Sequence, residues 1–409
     1  MTEIRPLRED ELEDFLRAMS GPFGFDLPDE EADRTALLTR FKKIFEPDRA
    51  RCAFEDGRMV GTLGVFSFTM TVPGGSIPTA GTTQVTTQVT HRRQGILTAM
   101  MRAHLSEAVS HGDAAAALWA SDSAIYGRFG FGMASWSTEV VIDRRHVDLH
   151  RLAATPAPVE ILDADSIRAS AIENYDAIRV NTPGMMSKSE GWWDRILSDP
   201  SWAREGATKA RYGLAVEDGR PVGWVRYRLK DAESDDHHPS QDVRVSQLYA
   251  QTPGAWAGLW NHVMSHDFGR TIRADLRPLD DPIHALLKAT RRAKTRITDG
   301  LWVRILDVAR TLDSRTYRTD GTITFGVHDP LEFASGRYRL SVEDGTGTIT
   351  AADDAAVELD VEDLGALSLG GRSAIELAMA GRVTGAPDEI EAFDTLLRGS
   401  RAPWTPLIF

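Results

Sequence analysis

The sequence predicts two consecutive α/β units followed by a segment of α+β type. The main observation is an internal repeat, since Glu55–Gly61 (EDGRMVG) recurs as Glu217–Gly223 (EDGRPVG) with six of seven residues identical. Each copy places an Asp-Gly turn before an apolar run, a pattern typical of a β-hairpin. Asp-Gly turns are common enough to recur by chance, but the flanking patterns recur as well and favour a duplication. Beyond residue 297 the strand and helix patterns follow a different order.

The first unit alternates helix and strand patterns. Asp10–Met19 carries Leu12, Phe15 and Leu16 on one helical face. A helix is expected from Ile96 to about Ser110, ended by Gly112, and a short one over Ser121–Arg128 with Ser121 as its N-cap. The expected strands are Arg51–Phe54, Met59–Val72, Thr82–Val89, Ala114–Trp119 and Ser135–Ile142.

The second unit adds a strand at Val243–Tyr249. Where the first unit has Arg92–Thr98, the second has Pro253–Trp260, which lacks an arginine pair, so we expect that loop to have lost its role. Domains are expected over residues 1–155, 156–296 and 297–409, with Ala153–Pro158 as a linker. The third segment is expected to contain strands at Leu301–Val308, Gly321–Val327, Arg337–Val342 and Thr346–Ala351 and helices at Glu362–Leu369 and Pro387–Leu397.

Composition limits the classes of function. The 409 residues include 47 Lys+Arg and 60 Asp+Glu, a net charge of −13, which disfavours a nucleic-acid partner and suits a cationic one. Cys52 is the single cysteine, which excludes an intrachain disulfide and fits a reducing, cytoplasmic location. No signal-peptide pattern and no run of about 18 apolar residues is present, so no membrane association is expected.

A strand, a loop and a helix meet in Val85–Thr98 (VTTQVTHRRQGILT), the segment with the clearest chemistry. Unsatisfied N–H groups and the positive end of the dipole at a helix start suit a pyrophosphate. Gly95 lets the backbone approach a ligand closely, and Arg92 and Arg93 add positive charge. Arginines in such a loop are often only solvated, and the P-loop and dinucleotide-binding fingerprints are absent.

This arrangement resembles the GCN5-related N-acetyltransferase (GNAT) fold, in which a splayed strand binds pantetheine and a Q/R-x-x-G-x-G/A loop binds the pyrophosphate of acetyl-CoA. Leu97 stands where that motif has a small residue. Over the whole chain the sequence is similar to the enhanced intracellular survival (Eis) family of actinobacterial acetyltransferases, in which leucine is normal there. The residues that carry this similarity are Pro78–Gly81, Thr90–Arg93, Ile125–Gly132 (IYGRFGFG), Asp299–Arg304 (DGLWVR) and the final Phe409.

The resemblance implies an active GNAT domain, a degenerate second one and a sterol-carrier-like C-terminal domain. It also implies Tyr126 as general acid and the Phe409 carboxylate as general base, a homo-hexamer, and amine substrates that include aminoglycosides acetylated at several positions. The acetyl-CoA contacts that it implies, together with Arg92, are Val85, Thr86, Thr87, Arg93, Gln94, Gly95, Ile96, Leu97, Thr98, Ser121 and Asp122.

Simpler roles compete with these assignments. A phenol of pKa about 10 suits protonation of a thiolate whose conjugate acid has a pKa of about 8.5, yet Tyr126 could equally be a core residue. The tail Trp404–Phe409 (WTPLIF) is unusually apolar for a chain end and is therefore expected to dock. Asp26 has two open roles, as the wall of an acidic amine pocket or as a solvated cap.

Several other residues are expected to be structural. His91 is expected to support its loop rather than act as a base, and Trp192 and Trp193 to pack in the core rather than line a channel. His237-His238 lies in a polar loop, and no third ligand has suitable spacing, so no metal is expected. Ser121 lacks a G-x-S-x-G context and is not expected to be a nucleophile.

Two functions therefore remain open. One is an acetyl-CoA-dependent N-acetyltransferase in which a neutral amine attacks the thioester directly. The other is a lipid- or small-ligand-binding protein that uses the third domain, with the acetyltransferase folds as a scaffold. The Arg92–Gly95 loop and Tyr126 favour the enzyme. Ile408, beside the terminus, is apolar; an acidic residue there would have favoured polycationic substrates, so acetylation is a firmer expectation than aminoglycosides.

Overall fold

The computed structural model describes residues 2–144, 147–150, 155–232 and 239–409. Within these ranges the strands, in chain order, are β1 Glu3–Arg5, β2 Cys52–Glu55, β3 Arg58–Val72, β4 Gly75–Thr87, β5 Ala115–Trp119, β6 Gly132–Met133, β7 Trp136–Asp143, β8 Val159–Leu162, β9 Arg211–Glu217, β10 Arg220–Asp231, β11 Gln241–Ala250, β12 Gly269–Arg277, β13 Ala293–Asp299, β14 Leu301–Ile305, β15 Gly321–His328, β16 Gly336–Glu343, β17 Thr346–Ala351, β18 Val357–Asp360 and β19 Val383–Gly385.

The helices pack on the sheets and between them. In chain order they are α1 Leu12–Phe23, α2 Glu31–Lys42, α3 Ile96–His111, α4 Ser123–Tyr126, α5 Ala164–Arg179, α6 Glu190–Leu197, α7 Pro253–Met264, α8 Ile283–Leu286, α9 Val308–Asp313, α10 Val361–Leu367, α11 Ala374–Met379 and α12 Pro387–Leu397. In the described ranges, none of them combines the length and apolar character needed to cross a bilayer.

Three sheets organise the described part of the chain. The first has the order β1-β2-β3-β4-β5-β14-β6, the second β13-β7-β12-β11-β10-β9-β8, and the third β17-β16-β15-β18-β19. The first two sheets are mainly antiparallel, and each contains one central parallel pair. These pairs are β4 with β5 and β11 with β12. The α/β and α+β architecture predicted from the sequence is confirmed.

The internal repeat corresponds to two equivalent hairpins. Asp56-Gly57 joins β2 to β3, and Asp218-Gly219 joins β9 to β10. Their φ angles are 48° and 76° in the first turn and 49° and 75° in the second. Two successive left-handed residues define a type I′ turn, for which Asp-Gly is a preferred pair. The repeated residues are therefore alike because the two turns have the same backbone geometry.

The first two sheets exchange strands. β7 was expected in the first unit but pairs with β12 and β13 of the second sheet, whereas β14 returns to the first sheet between β5 and β6. The expectation that Leu301–Val308 is a strand of the third segment was wrong in two respects. The strand belongs to the first sheet, and it ends at Ile305, because Val308 already begins α9. The domain ranges 1–155, 156–296 and 297–409 stay a prediction. The first two sheets do not follow these ranges, because β7 lies in the second sheet and β14 in the first.

The third domain packs its helices on one mixed sheet. Phe325 of β15 and Phe393 of α12 are fully buried, with ring centroids 5.3 Å apart. A buried ion pair joins this domain to the first sheet, since the Arg304 guanidinium lies 2.6 Å from the Asp329 carboxylate. Arg304 belongs to β14, so a strand of the first sheet forms an ion pair with the third domain.

Candidate active site

The parallel strands β4 and β5 separate near the middle of the first sheet. They pair over three positions, Thr79–Gly81 against Ala115–Ala117. Further along β4, Gln84 has a φ of 50°, and the register with β3 shifts between Thr62 and Gly64. These are the marks of a β-bulge, which bends a strand away from its neighbour. The bulge therefore opens a gap between the strands beyond Gly81.

A cavity of about 620 Å³ occupies this gap. All the residues expected to contact acetyl-CoA line it except Gln94, and Tyr126 lines it as well. Gln94 is exposed, and its side-chain amide donates to the Thr90 carbonyl oxygen at 3.5 Å. The lining residues are Pro22, Phe23, Val85, Thr86, Thr87, His91, Arg92, Arg93, Gly95, Ile96, Leu97, Thr98, Ser121, Asp122, Ile125, Tyr126 and Arg128.

Helix α3 presents an uncapped N-terminus to the cavity. Gly95 is its N-cap residue, has a φ of 80°, and makes no side-chain cap. Arg92 and Arg93 are exposed, and in the ranges that the structure describes neither has a carboxylate within ion-pair distance. Open backbone donors, the positive end of the helix dipole and two unpaired guanidinium groups together suit a diphosphate.

His91 supports the loop, as the sequence indicated. Its Nε2 lies 3.0 Å from a carboxylate oxygen of Glu55, and its Nδ1 lies 2.8 Å from the Thr90 hydroxyl. Sequence reasoning missed Arg128, which lines the cavity with its guanidinium 4.9 Å from the centre of the Phe129 ring. The available signal was its position in the segment Ile125–Gly132, two residues after Tyr126.

Tyr126 ends the short helix α4 and is 4% exposed. Its ring packs edge-on against Phe131, with centroids 6.2 Å apart. Burial raises the pKa of the Tyr126 phenol above its usual value of 10, and a hydrogen bond with the Ser121 side chain opposes this shift. The phenol therefore remains protonated at neutral pH and can donate. The cap of α4 is Asp122, not Ser121 as expected, because the Asp122 carboxylate accepts from the N–H of Ala124 at 3.0 Å.

The C-terminal tail docks, as its apolar sequence predicted. Residues 403–407 are buried, and the Trp119 indole donates to the Leu407 carbonyl oxygen at 2.8 Å. The Phe409 ring packs against Phe68 with centroids 5.0 Å apart. A β-carbon added at Gly81 would lie 3.2 Å from the Phe409 ring. Because Gly81 is the last β4 residue paired with β5, the tail reaches the point where the strands separate.

Other candidates lie apart from the cavity. Asp26 is exposed and is not among the residues that line it. Trp192 and Trp193 are buried, as expected for core residues. Burial raises the pKa of the Cys52 thiol to about 12, so Cys52 is a poor nucleophile. His237-His238 lies outside the described residues, and in the described ranges no group of three or more His, Cys, Asp or Glu side chains could hold a metal.

The equivalent helix start in the second domain is already filled. At the N-terminus of α7, the Thr252 hydroxyl accepts from the N–H of Ala255 at 3.0 Å and donates to the Glu217 carboxylate at 2.8 Å. An incoming phosphate would meet that carboxylate. The neighbouring segment also covers the helix, since the N–H of Ala157 donates to the Gly254 carbonyl oxygen at 2.9 Å. This end of α7 is therefore unsuited to an anion.

Separating parallel strands, an uncapped helix N-terminus and a buried tyrosine define the first domain as a GNAT acetyltransferase domain. Models of known families agree along the chain. Residues 3–134 and 184–305 each match an acetyltransferase (GNAT) domain, and residues 308–406 match a sterol carrier protein domain. The predicted order of two GNAT folds and a sterol-carrier-like domain is confirmed.

Whole-chain comparisons narrow the class to a family. An uncharacterized N-acetyltransferase of Streptomyces avermitilis is 36% identical over 419 residues, covering 100% of this chain and 98% of that protein. The N-acetyltransferase Eis of Mycobacterium tuberculosis is 32% identical over 339 residues, covering 80% of this chain and 79% of Eis. The chain belongs to the Eis family of N-acetyltransferases, and is thus an acyltransferase.

Solved structures support the same assignment. The crystal structure of Eis1 from Mycobacterium abscessus is 28% identical and aligns over 100% of both chains with a TM-score of 0.85. A GCN5-related N-acetyltransferase from Anabaena variabilis aligns over 100% of both chains with a TM-score of 0.86 at 17% identity, which shows a shared fold.

Proposed function

We propose that the protein transfers the acetyl group of acetyl-CoA to an amine by direct attack on the thioester. The observation that carries this proposal is the cavity between β4 and β5, which is lined both by the N-terminus of α3 and by Tyr126. The diphosphate would bind the N–H groups after Gly95 together with Arg92 and Arg93. The pantetheine arm would follow the bulged strand β4, which brings the thioester towards Tyr126.

In this reaction the amine nitrogen bonds to the thioester carbon and the carbon–sulfur bond breaks. The departing thiolate takes the proton of the Tyr126 phenol, which burial keeps protonated. The amine loses its own proton towards the Phe409 carboxylate, directly or through water, and Tyr126 regains a proton from solvent. A carboxylate of pKa about 3.5 is a weak base, so orientation of the amine by the tail contributes more than its basicity.

The acceptor must be neutral when it attacks. An amine of pKa 8–10 is about 0.1–10% neutral at pH 7, which limits the benefit of deprotonation to roughly 4 kcal/mol. Proximity and donors around the thioester oxygen must supply the rest of the rate enhancement. Aminoglycosides are candidate acceptors by analogy with the family, and the exposed Asp26 is a candidate contact for their ammonium groups.

A titration with acetyl-CoA tests the cofactor assignment. One equivalent should bind per chain, because Thr252 and Glu217 occupy the helix start in the second domain. Two equivalents would contradict that interpretation. A screen of acetyl-CoA consumption over aminoglycosides, polyamines, arylamines and lysine peptides then identifies the acceptor, and transfer to none of them would refute the proposed function.

A homo-hexamer, which the family resemblance implies, and a cytoplasmic location, which the single cysteine suits, complete the proposal. Light scattering at micromolar concentration should show about six chains, and a monomer would contradict it. The alternative, ligand binding by the third domain with the GNAT folds as a scaffold, has less support because an intact cavity and Tyr126 persist in the first domain. Thermal-shift assays with acetyl-CoA and with fatty acids compare the two functions, since a ligand of the native state raises Tm.

A further inference from the structure

The second domain contains the same strand separation as the first, but side chains narrow its gap to a cavity of about 270 Å³. β11 and β12 pair in parallel from Gln241–Val245 against Gly269–Ala274 and then diverge. Beyond that point Arg277 bridges the strands, since its guanidinium donates to the Leu248 carbonyl oxygen of β11 at 2.7 Å. The guanidinium also pairs with Asp281 at 2.7 Å, and Arg277 is 5% exposed.

Trp404 of the C-terminal tail fills the space beside Arg277. It is 7% exposed, with its ring 5.5 Å from that of Tyr249 and the Arg277 guanidinium 5.1 Å from its ring centre. The Trp404 indole donates to the Leu276 carbonyl oxygen at 2.5 Å. This contact places a hydrogen-bonded side chain, with its ring tilted by 43° against that of Tyr249, in the gap that corresponds to the cavity of the first domain.

The backbone of β12 is shaped for this contact. Leu276 has a φ of 51°, and the register of β12 with β7 shifts between Ala274 and Arg277. A left-handed conformation is unfavourable for leucine, so this bulge is maintained by the contacts around it. The bulge turns the Leu276 carbonyl out of the ladder, so that it can accept from Trp404.

The segment Pro183–Ser187 also contacts the tail. The N–H of Gly184 donates to the Thr71 carbonyl oxygen of β3 at 2.8 Å. The N–H of Trp404 donates to the Pro183 carbonyl oxygen at 2.8 Å, and the Thr405 hydroxyl donates to the Gly184 carbonyl oxygen at 2.8 Å. This segment therefore connects the tail to a strand of the catalytic domain.

We propose that the narrowed cleft of the second domain anchors the C-terminal tail, and that Trp404 is a positioning residue for the Phe409 carboxylate. The proposal rests on the function proposed above. Phe409 lies five residues beyond Trp404, and a five-residue segment spans at most about 18 Å. Anchoring Trp404 therefore confines the terminus near Gly81. A misplacement of about 1 Å in a reacting group can reduce a rate by about a hundredfold.

The test compares Trp404→Ala with Trp202→Ala. Trp202 is 44% exposed, lies in the second domain and, within the described ranges, forms no hydrogen bond or ring contact with the tail, so it is a matched control. With an acceptor from the screen, Trp404→Ala should lower kcat/KM for the amine by about 10–100-fold. The Kd for acetyl-CoA, measured by calorimetry, should stay within about twofold, because the cofactor cavity is unchanged. Trp202→Ala should change neither quantity.

A second readout does not depend on activity. Carboxypeptidase release of Phe409, followed by mass spectrometry, should be slow in the wild type and at least about tenfold faster in Trp404→Ala, because the docked tail must leave its site to be cleaved. Trp404→Phe keeps a ring against Tyr249 and Arg277 but loses the indole donor, so its release rate should be intermediate. It also gives a folded variant if the alanine change disrupts the domain.

Non-additivity separates positioning from general damage. If Trp404 acts through Phe409, then adding one glycine after Phe409 to the Trp404→Ala variant should lower kcat/KM little further. Unchanged tail release and unchanged kcat/KM in Trp404→Ala would overturn the anchor, as would a parallel loss of acetyl-CoA affinity. If the wild type acetylates no amine, the proposed function fails by itself, and the release assay alone decides whether the cleft anchors the tail.

Discussion

Replacing Gly95 separates the contribution of charge from that of backbone conformation. Gly95 has a φ of 80°, and a β-carbon built there meets no heavy atom within 4 Å. Space is therefore available, and the steric cost of a substitution comes from the left-handed backbone alone. Asparagine and aspartate are nearly isosteric and both tolerate this conformation, at roughly 1 kcal/mol or less. Gly95→Asn and Gly95→Asp thus differ mainly by one negative charge.

The expected penalty follows from Coulomb's law. At a separation of about 6 Å and an effective dielectric constant of about 40, a carboxylate and one phosphate charge repel by roughly 1.4 kcal/mol. Two phosphate charges give about 3 kcal/mol, which is roughly a hundredfold in Kd. An ion pair between the new carboxylate and Arg92 or Arg93 would not restore affinity, because it would withdraw that arginine from the ligand.

The assay is calorimetric titration of acetyl-CoA into both variants at two salt concentrations. Gly95→Asn should bind within about tenfold of the wild type, whereas Gly95→Asp should bind roughly a hundredfold more weakly than Gly95→Asn. The difference should shrink as added salt screens the charges. Equal affinities for the two folded variants would refute the placement of the diphosphate at the start of α3.

The remaining predictions concern Tyr126, Phe409 and His104. Tyr126→Phe should lower kcat by about 10²–10⁴ with folding intact. Burial raises the pKa of Tyr126 above 10. The wild-type rate should therefore rise with pH as the amine deprotonates, and it should not decline below pH 10. Residues appended after Phe409 should be comparably damaging, and a C-terminal tag that leaves turnover and amine affinity unchanged would remove Phe409 from the mechanism. His104 of α3 is fully buried beside the Thr82 hydroxyl, and burial lowers its pKa to about 3. The fold therefore holds His104 in its neutral form, and the free energy of unfolding should fall by roughly 1.4 kcal/mol per pH unit as the pH decreases from 6.5 towards 3. In urea unfolding at pH 7.5 and 5.5, His104→Gln should reduce this difference in the free energy of unfolding. An unchanged difference would contradict the role of His104.

Local residue chemistry made much of the architecture predictable. The two Asp-Gly turns adopt the same left-handed pair of φ angles, and α3 runs from Ile96 to His111 and ends at Gly112, as its sequence indicated. Turns and caps depend on the conformational preferences of one or two residues. The sequence carries that information directly, as it does the unusual apolar character of the tail.

Pairing over long distances was not predictable in the same way. The buried run Leu301–Ile305 is apolar at most positions and would fit the interior of any sheet, so its return to the first sheet beside β5 could not be inferred. The cap of α4 was also assigned to the wrong residue, since Ser121 and Asp122 are both good caps and a one-residue shift decides between them. A strand pattern specifies which residues face the core, but not which neighbouring strand covers them.

The components of the site could be recognised from the sequence: the Arg92–Gly95 loop, the helix that follows it, Tyr126 and an apolar chain end. The folded structure was needed to show that Phe409 packs against Phe68 and beside Gly81, where β4 and β5 separate, and that Trp404 occupies part of the corresponding gap in the second domain. The difference arises because loops and caps follow from short-range conformational preferences. The contacts of the tail join residues more than 120 positions apart, and they exist only because the two sheets and the third domain pack together.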